Sequence, residues 1–133
     1  MKRVVVASVF GLAVLAAPAA AQDKLQKQLE HILKRLDFST RLEQGCDAAA
    51  MAHIARDHRE FRIDRSVVSA LEEPRAKGNT LSGKGAAFRS KGKWYRFAFT
   101  CELSPDRMRV VSFHYNLGDE IPETQWSQYG LYQ

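Results

Sequence analysis

The stretch Lys93-Trp94-Tyr95-Arg96-Phe97-Ala98-Phe99-Thr100-Cys101-Glu102-Leu103 reads as a strand with one apolar face. Successive side chains along a strand point to opposite faces, so Tyr95, Phe97, Phe99, Cys101 and Leu103 share one side. Downstream, Ser104-Pro105-Asp106-Arg107 is a type I turn signature with proline at its second position. Met108–Leu117 then predicts a second strand, with Val111, Phe113, Tyr115 and Leu117 on one face. The two apolar sets meet only across a loop with an odd residue count, because a one-residue slip flips every side chain. A bulge at Arg107 supplies that count. Upstream, Gly85–Arg89 predicts a third strand, joined through a three-residue turn, Ser90-Lys91-Gly92, with Gly92 at positive φ. Ser66–Leu71, β-branched at Val67 and Val68, predicts a short further strand. Pro74–Gly83 is rich in turn formers and reads as a loop. Pro122 opens a short helix that ends near Gly130.

The N-terminal half is helical in pattern. Leu25, Leu29, Ile32, Leu33 and Leu36 form one stripe at helical period over Gln22–Leu36, with Asp23 placed to cap it. Asp47 and the alanines after it predict a helix over Ala48–His58. A short helical turn over Thr40–Gln44 precedes it, and Gly45 lets the chain turn between the two. These helices must cover the apolar strand face to bury Phe97, Phe99, Val111 and Phe113. The expected fold is α+β: N-terminal helices packed on one face of a three- or four-stranded antiparallel sheet, with a short C-terminal helix.

The first residues read as an export signal. Lys2 and Arg3 precede an apolar run, Val4–Ala17, and Ala19-Ala20-Ala21 offers the small residues that signal peptidase reads. The run falls short of the roughly 20 residues that span a bilayer. Cleavage after Ala21 would divide the chain into a signal peptide (1–21), an amphipathic helix (22–38) and one disulfide-linked α+β domain (39–133). The mature form would be periplasmic, with no transmembrane anchor, and no cysteine near the cleavage point could take a lipid. The chain has two cysteines, Cys46 and Cys101. In an oxidising compartment a pair is the simplest outcome, contributing about 4 kcal/mol for so long a loop. A metal or redox pair is disfavoured by their wide spacing and by the lack of a CxxC motif. Removing Lys2 and Arg3 from 20 basic residues against 15 acidic ones leaves a mild positive excess, which does not imply a nucleic-acid partner.

From about Thr40 onward the chain resembles a family of alphaproteobacterial exported proteins catalogued as domain of unknown function 930. The resemblance rests on Arg41-Leu42-Glu43-Gln44-Gly45-Cys46-Asp47, on Gly85-Ala86-Ala87-Phe88-Arg89-Ser90-Lys91-Gly92-Lys93-Trp94-Tyr95, on Phe99-Thr100-Cys101-Glu102 and on Gly118-Asp119-Glu120-Ile121-Pro122. It implies an envelope address and joint use of the two cysteines. It carries no activity, so no catalytic residue transfers from it. Leu25–Leu36 lies outside the resemblance.

Several motifs lose to plainer readings. Gly78-Asn79-Thr80-Leu81-Ser82-Gly83-Lys84 fits the start of a phosphate-binding loop, but Gly85 stands where Ser or Thr should hold Mg²⁺. The segment also precedes a strand instead of opening a helix, so a flexible glycine loop is preferred. His53 and Asp57 share a helix face, whereas His58 is turned away and His31 and His114 lie on other elements. Two ligands do not make a metal site, which usually needs three or four. No GxSxG elbow occurs. The acid pairs Glu72-Glu73 and Asp119-Glu120 sit at element ends. No cofactor is implied.

One charge asymmetry stands out. Between Glu73 and Glu102 no acid occurs, while Arg75, Lys77, Lys84, Arg89, Lys91, Lys93 and Arg96 do. Arg89, Lys91, Lys93, Trp94 and Arg96 are the candidate binding surface for an anionic envelope glycan, a lipid headgroup or an acidic protein. Trp94 and Arg96 share the face opposite Tyr95, where they could stack as a cation–π pair. The plainer reading is a solvated sheet face whose aromatics are core. The expectation is a non-enzymatic envelope protein. The alternatives are a hydrolase whose site is assembled from distant residues and an oligomer built on the Leu25–Leu36 stripe. A pocket lined by histidines and acids would favour the enzyme; a flat basic face would favour the binder.

Overall fold

A computed structural model describes residues 19–133. Most of the expected signal peptide therefore lies outside the described residues. Two helices, α1 (Ala19–Leu33) and α2 (Phe38–Asp57), precede five antiparallel strands. These are β1 (Ile63–Val67), β2 (Arg75–Lys77), β3 (Thr80–Ser90), β4 (Lys93–Leu103) and β5 (Val110–Glu120). The strand order is β1-β3-β4-β5, with β2 beside the other end of β3. The α+β class holds, with more strand than the sequence predicted. β2 and the first half of β3 fill the expected loop Pro74–Gly83, because Arg75–Lys77 pairs with Thr80–Ser82 around a turn in which Gly78 takes φ 59°. The weak strand expected at Ser66–Leu71 lies earlier, at Ile63–Val67. The C-terminal helix is two 3-10 turns, Glu123–Gln125 and Ser127–Tyr129, between Pro122 and a left-handed Gly130.

β4 and β5 pair as the alternation requires: Phe97 lies opposite Leu117, Phe99 opposite Tyr115 and Cys101 opposite Phe113. Arg107 takes φ 57° and donates its N–H to the Ser104 carbonyl, closing the turn. A register shift follows, so that Leu103 faces Val110. Val110 thereby takes the inward place, and Val111, expected in the core, is 60% exposed. The β3–β4 turn is also tighter than expected. Ser90 pairs with Lys93, leaving Lys91 and Gly92 alone in the turn, both at positive φ as a primed hairpin turn demands.

The helical half is simpler than its sequence suggested. Thr40–Gln44 and Ala48–Asp57 belong to one helix that runs straight through Gly45 and Cys46, with His58 as its C-cap. Its cap is Asp37, not Asp47: the Asp37 carboxylate accepts the Thr40 N–H at 3.0 Å and the Thr40 hydroxyl at 2.7 Å. Glycine costs about 1 kcal/mol within a helix, but here it permits close packing. A Cβ at Gly45 would sit 2.7 Å from Leu103 Cδ1. That approach brings the next residue, Cys46, to Cys101, with a Cα–Cα separation of 5.9 Å and the two sulfurs bonded. Asp23 lies inside α1 instead of capping it. The C-terminus of α1 is held by Arg41, whose Nε donates to the carbonyls of Leu33 and Leu36.

The sheet is covered on both faces. α2 packs over Phe88, Phe97, Phe99, Cys101 and Phe113. On the opposite face Ala87 and Trp94 meet Ile121, Trp126 and Leu131 of the C-terminal turns. The rest of that second face is polar.

Candidate functional site

The candidate basic residues do not form one open surface. Trp94 is buried, 1% exposed, and its indole N–H donates to the Tyr132 carbonyl at 2.8 Å. Its cation–π partner is Arg89, 5.7 Å from the ring centroid, and not Arg96. Arg89 in turn grips Asp64 through both Nε and Nη2, at 2.8 and 2.9 Å. Such a two-pronged pair fixes Arg89 in place. Lys93 lies 3.8 Å from Glu120, both side chains exposed, a contact worth little. Lys91 occupies the tip of the β3–β4 turn, and Arg96 is exposed on β4. Two of the five residues thus serve the packing of the C-terminal segment.

A different set converges. An open cleft of about 890 Å³ is lined by the last turns of α2 (His53, Arg56, Asp57), by Glu72, Glu73 and Arg75, and by residues of three strands, including Ser82, Lys84, Thr100, Phe113, His114 and Tyr115. Each member has a local reason to be there. His53 and Asp57 lie one helical turn apart, as the sequence implied. The segment carrying Glu72 is pressed against β3, where a Cβ on Gly85 would stand 2.7 Å from the Glu72 backbone nitrogen. Its neighbour Leu71 donates its N–H to the Gly85 carbonyl at 2.7 Å. Thr100 and His114 face each other across β4 and β5.

The electrostatics divide the cleft in two. At the α2 side the charges are satisfied. Asp57 takes the Arg56 Nε at 2.8 Å and the Tyr115 hydroxyl at 2.7 Å. Those two hydrogen bonds hold its carboxyl down at about 2. Burial and the Asp57 carboxylate push the Tyr115 phenol up to about 12. Burial lowers His53 from its ordinary value, helped by the Arg56 cation nearby, and its ring packs 5.3 Å from that of Phe113. At the other side, no ion pair engages Glu72, Glu73, Arg75 or Lys84 among the described residues. Among the described residues no group of three or more His, Cys, Asp or Glu side chains is placed to hold a metal. Nor is any helix among them long and apolar enough to cross a membrane.

Sequence reasoning singled out His53, Asp57, His114 and the Glu72-Glu73 pair separately and had no means of joining them. Tyr115 shares the core face of β5, and nothing in the sequence ties its hydroxyl to Asp57, since the two lie on different elements. A family model described as Domain of Unknown Function (DUF930) matches residues 33–131. No curated protein matches the chain. No solved structure matches it either.

Proposed function

We propose, for a chain that belongs to the DUF930 family, the role of a non-enzymatic, exported binding protein whose cleft holds a polar envelope component carrying both charge signs. The observation that carries this reading is the pairing pattern in the cleft. Glu72, Glu73, Arg75 and Lys84 present both signs to a space of about 890 Å³, within the size range of small-ligand sites. A ligand with an ammonium and a carboxylate, such as a short cell-wall peptide, would meet complementary groups at both ends. This moves the binding surface from the strand residues Arg89 and Trp94 to the cleft. It also replaces the expected anionic ligand with a zwitterionic one, to match the two charge signs of the lining. The disulfide and the N-terminal sequence support export.

Histidines and acids do line the cleft, which favours the alternative of a hydrolase. The specific observation on that side is His53, whose pKa is lowered by burial and whose cleft is also lined by the hydroxyls of Ser82 and Thr100. The charge states argue for binding. A general acid or base works best with a pKa near the operating pH. Asp57 and Tyr115 are driven far from neutrality in opposite directions. His53 shares its ring nitrogen with Arg56, a cation, and not with an orienting carboxylate.

Calorimetric titration with a zwitterionic tetrapeptide, a neutral chitooligosaccharide and polyglutamate separates the readings. The tetrapeptide alone should bind, and Arg75→Glu with Lys84→Glu should weaken it at least about tenfold, as loss of a charge-assisted contact does. Equal affinity for polyglutamate would refute the two-sign site. Turnover of the tetrapeptide that stops in His53→Gln would establish the hydrolase.

A further inference from the structure

The N-terminal helix α1 presents three faces, and only one is used by the domain. On the used face Gln26 Nε2 donates to the Met108 carbonyl at 3.4 Å, Glu30 meets Arg109 at 3.3 Å, and Leu33 is 1% exposed. No α1 residue belongs to the core cluster beneath α2, and the family match begins only at residue 33. On a second face Leu25 and Ile32 stand 66% and 58% exposed. A third face and the residues just past its end carry Lys24, Lys27, Lys34 and Arg35, all exposed. Of the two acids on the helix, Glu30 is turned to Arg109, which leaves Asp23 alone beside these cations.

We infer that α1 is a docking helix for an anionic lipid surface, with Leu25 and Ile32 entering the acyl boundary and the flanking lysines and arginine over the headgroups. An apolar stripe bordered by cations is the pattern of helices that lie in a membrane interface. Cations near such a surface add attraction that apolar burial alone lacks. Charge complementarity decides against a second copy of the chain as the occupant. Two such helices packed together would bring their lysines close. The stripe Leu25, Leu29, Ile32 and Leu36 also spans fewer than the three to four heptads that sustain a coiled coil. The inference is independent of the cleft, since none of its residues lines that space.

The test is co-sedimentation of the exported chain, beginning at Gln22, with vesicles of equal parts phosphatidylglycerol and phosphatidylethanolamine and, separately, with phosphatidylcholine vesicles. The chain should partition onto the anionic vesicles and at least about tenfold less onto the neutral ones. Leu25→Ser with Ile32→Ser, and separately Lys24→Glu with Lys27→Glu, should each lower anionic partitioning at least about tenfold while leaving the melting temperature unchanged. Arg75→Glu with Lys84→Glu should leave partitioning intact, so failure of the cleft reading and failure of this one are told apart. Equal partitioning of wild type and α1 variants, or none by wild type, overturns the inference. So does a dimer in sedimentation equilibrium that Leu25→Ser with Ile32→Ser dissolves.

Discussion

At the residue scale, Asp47 shows how a local rule is overridden. Its sequence context suggests a helix cap, yet it sits within α2 and accepts the Val68 N–H at 2.7 Å. Burial pushes its carboxyl up to about 7, and nearby Glu43 adds to the rise, while the Val68 hydrogen bond and Arg65 oppose it. A carboxyl whose folded pKa is raised contributes stability below its unfolded value near 4, and that contribution is lost as pH climbs through about 7. Asp47→Asn keeps an acceptor for Val68 and removes the charge. Its melting temperature relative to wild type should rise progressively from about pH 4 to about pH 7 and level off by about pH 8; parallel curves across that range would refute the assignment. Gly85 makes a second residue-scale case. Gly85→Ala would drive a Cβ to 2.5 Å from Glu72 Cβ and 2.7 Å from the Glu72 nitrogen. Backbone cannot swing aside as a side chain does, so thermal melts should show a loss of roughly 1–3 kcal/mol.

At the element scale, the bridge between α2 and β4 joins the helical half to the sheet half. Cys46 and Cys101 are both fully buried, and no free cysteine remains. Replacing both by serine removes a cross-link over 55 residues of sequence and should lower stability by roughly 2–5 kcal/mol in denaturant melts. A double variant that melts with wild type would show that α2 is held by packing alone. The elements also show why the sequence was legible in some places and not in others. β4 is legible to its end residues because an apolar side chain recurs at every second position from Tyr95 to Leu103. The β4–β5 turn is legible in part: Pro105 and the left-handed Arg107 mark it, but Leu103 pairs with Val110 across an even six-residue loop, and the register shift at that end of β5 turns Val111 outward. β2 was missed because Arg75-Ala76-Lys77 is exposed along its whole length and carries no apolar alternation. Arg107 had a visible turn role but a hidden second one. Its guanidinium donates to Asn79 Oδ1 and to the carbonyls of Gly78 and Phe38, tying three turns distant in sequence.

For the whole molecule, the export reading stands on residues that precede the fold. Mass spectrometry of the protein from its native envelope should find an N-terminus at Gln22; intact Met1 would remove the periplasmic reading and the compartment argument for the disulfide. By itself the sequence determined the α+β class, the β4–β5 register from Phe97 to Cys101, the inward placement of Cys101 and the cysteine pairing. Each of these follows from periodicity or from counting, which act along the chain and need no knowledge of distant neighbours. Tertiary structure alone decided that Trp94 is core, because nothing local announces that Ile121, Trp126 and Leu131 fold back over it. It decided that Gly45 passes through a helix instead of breaking one, because the reason lies in Leu103 on another element. It decided the cleft too, whose His53, Asp57, Glu72, Lys84 and Tyr115 are brought together only when α2, β3 and β5 pack, since charge complementarity across elements is a property of distance and leaves no mark in sequence spacing.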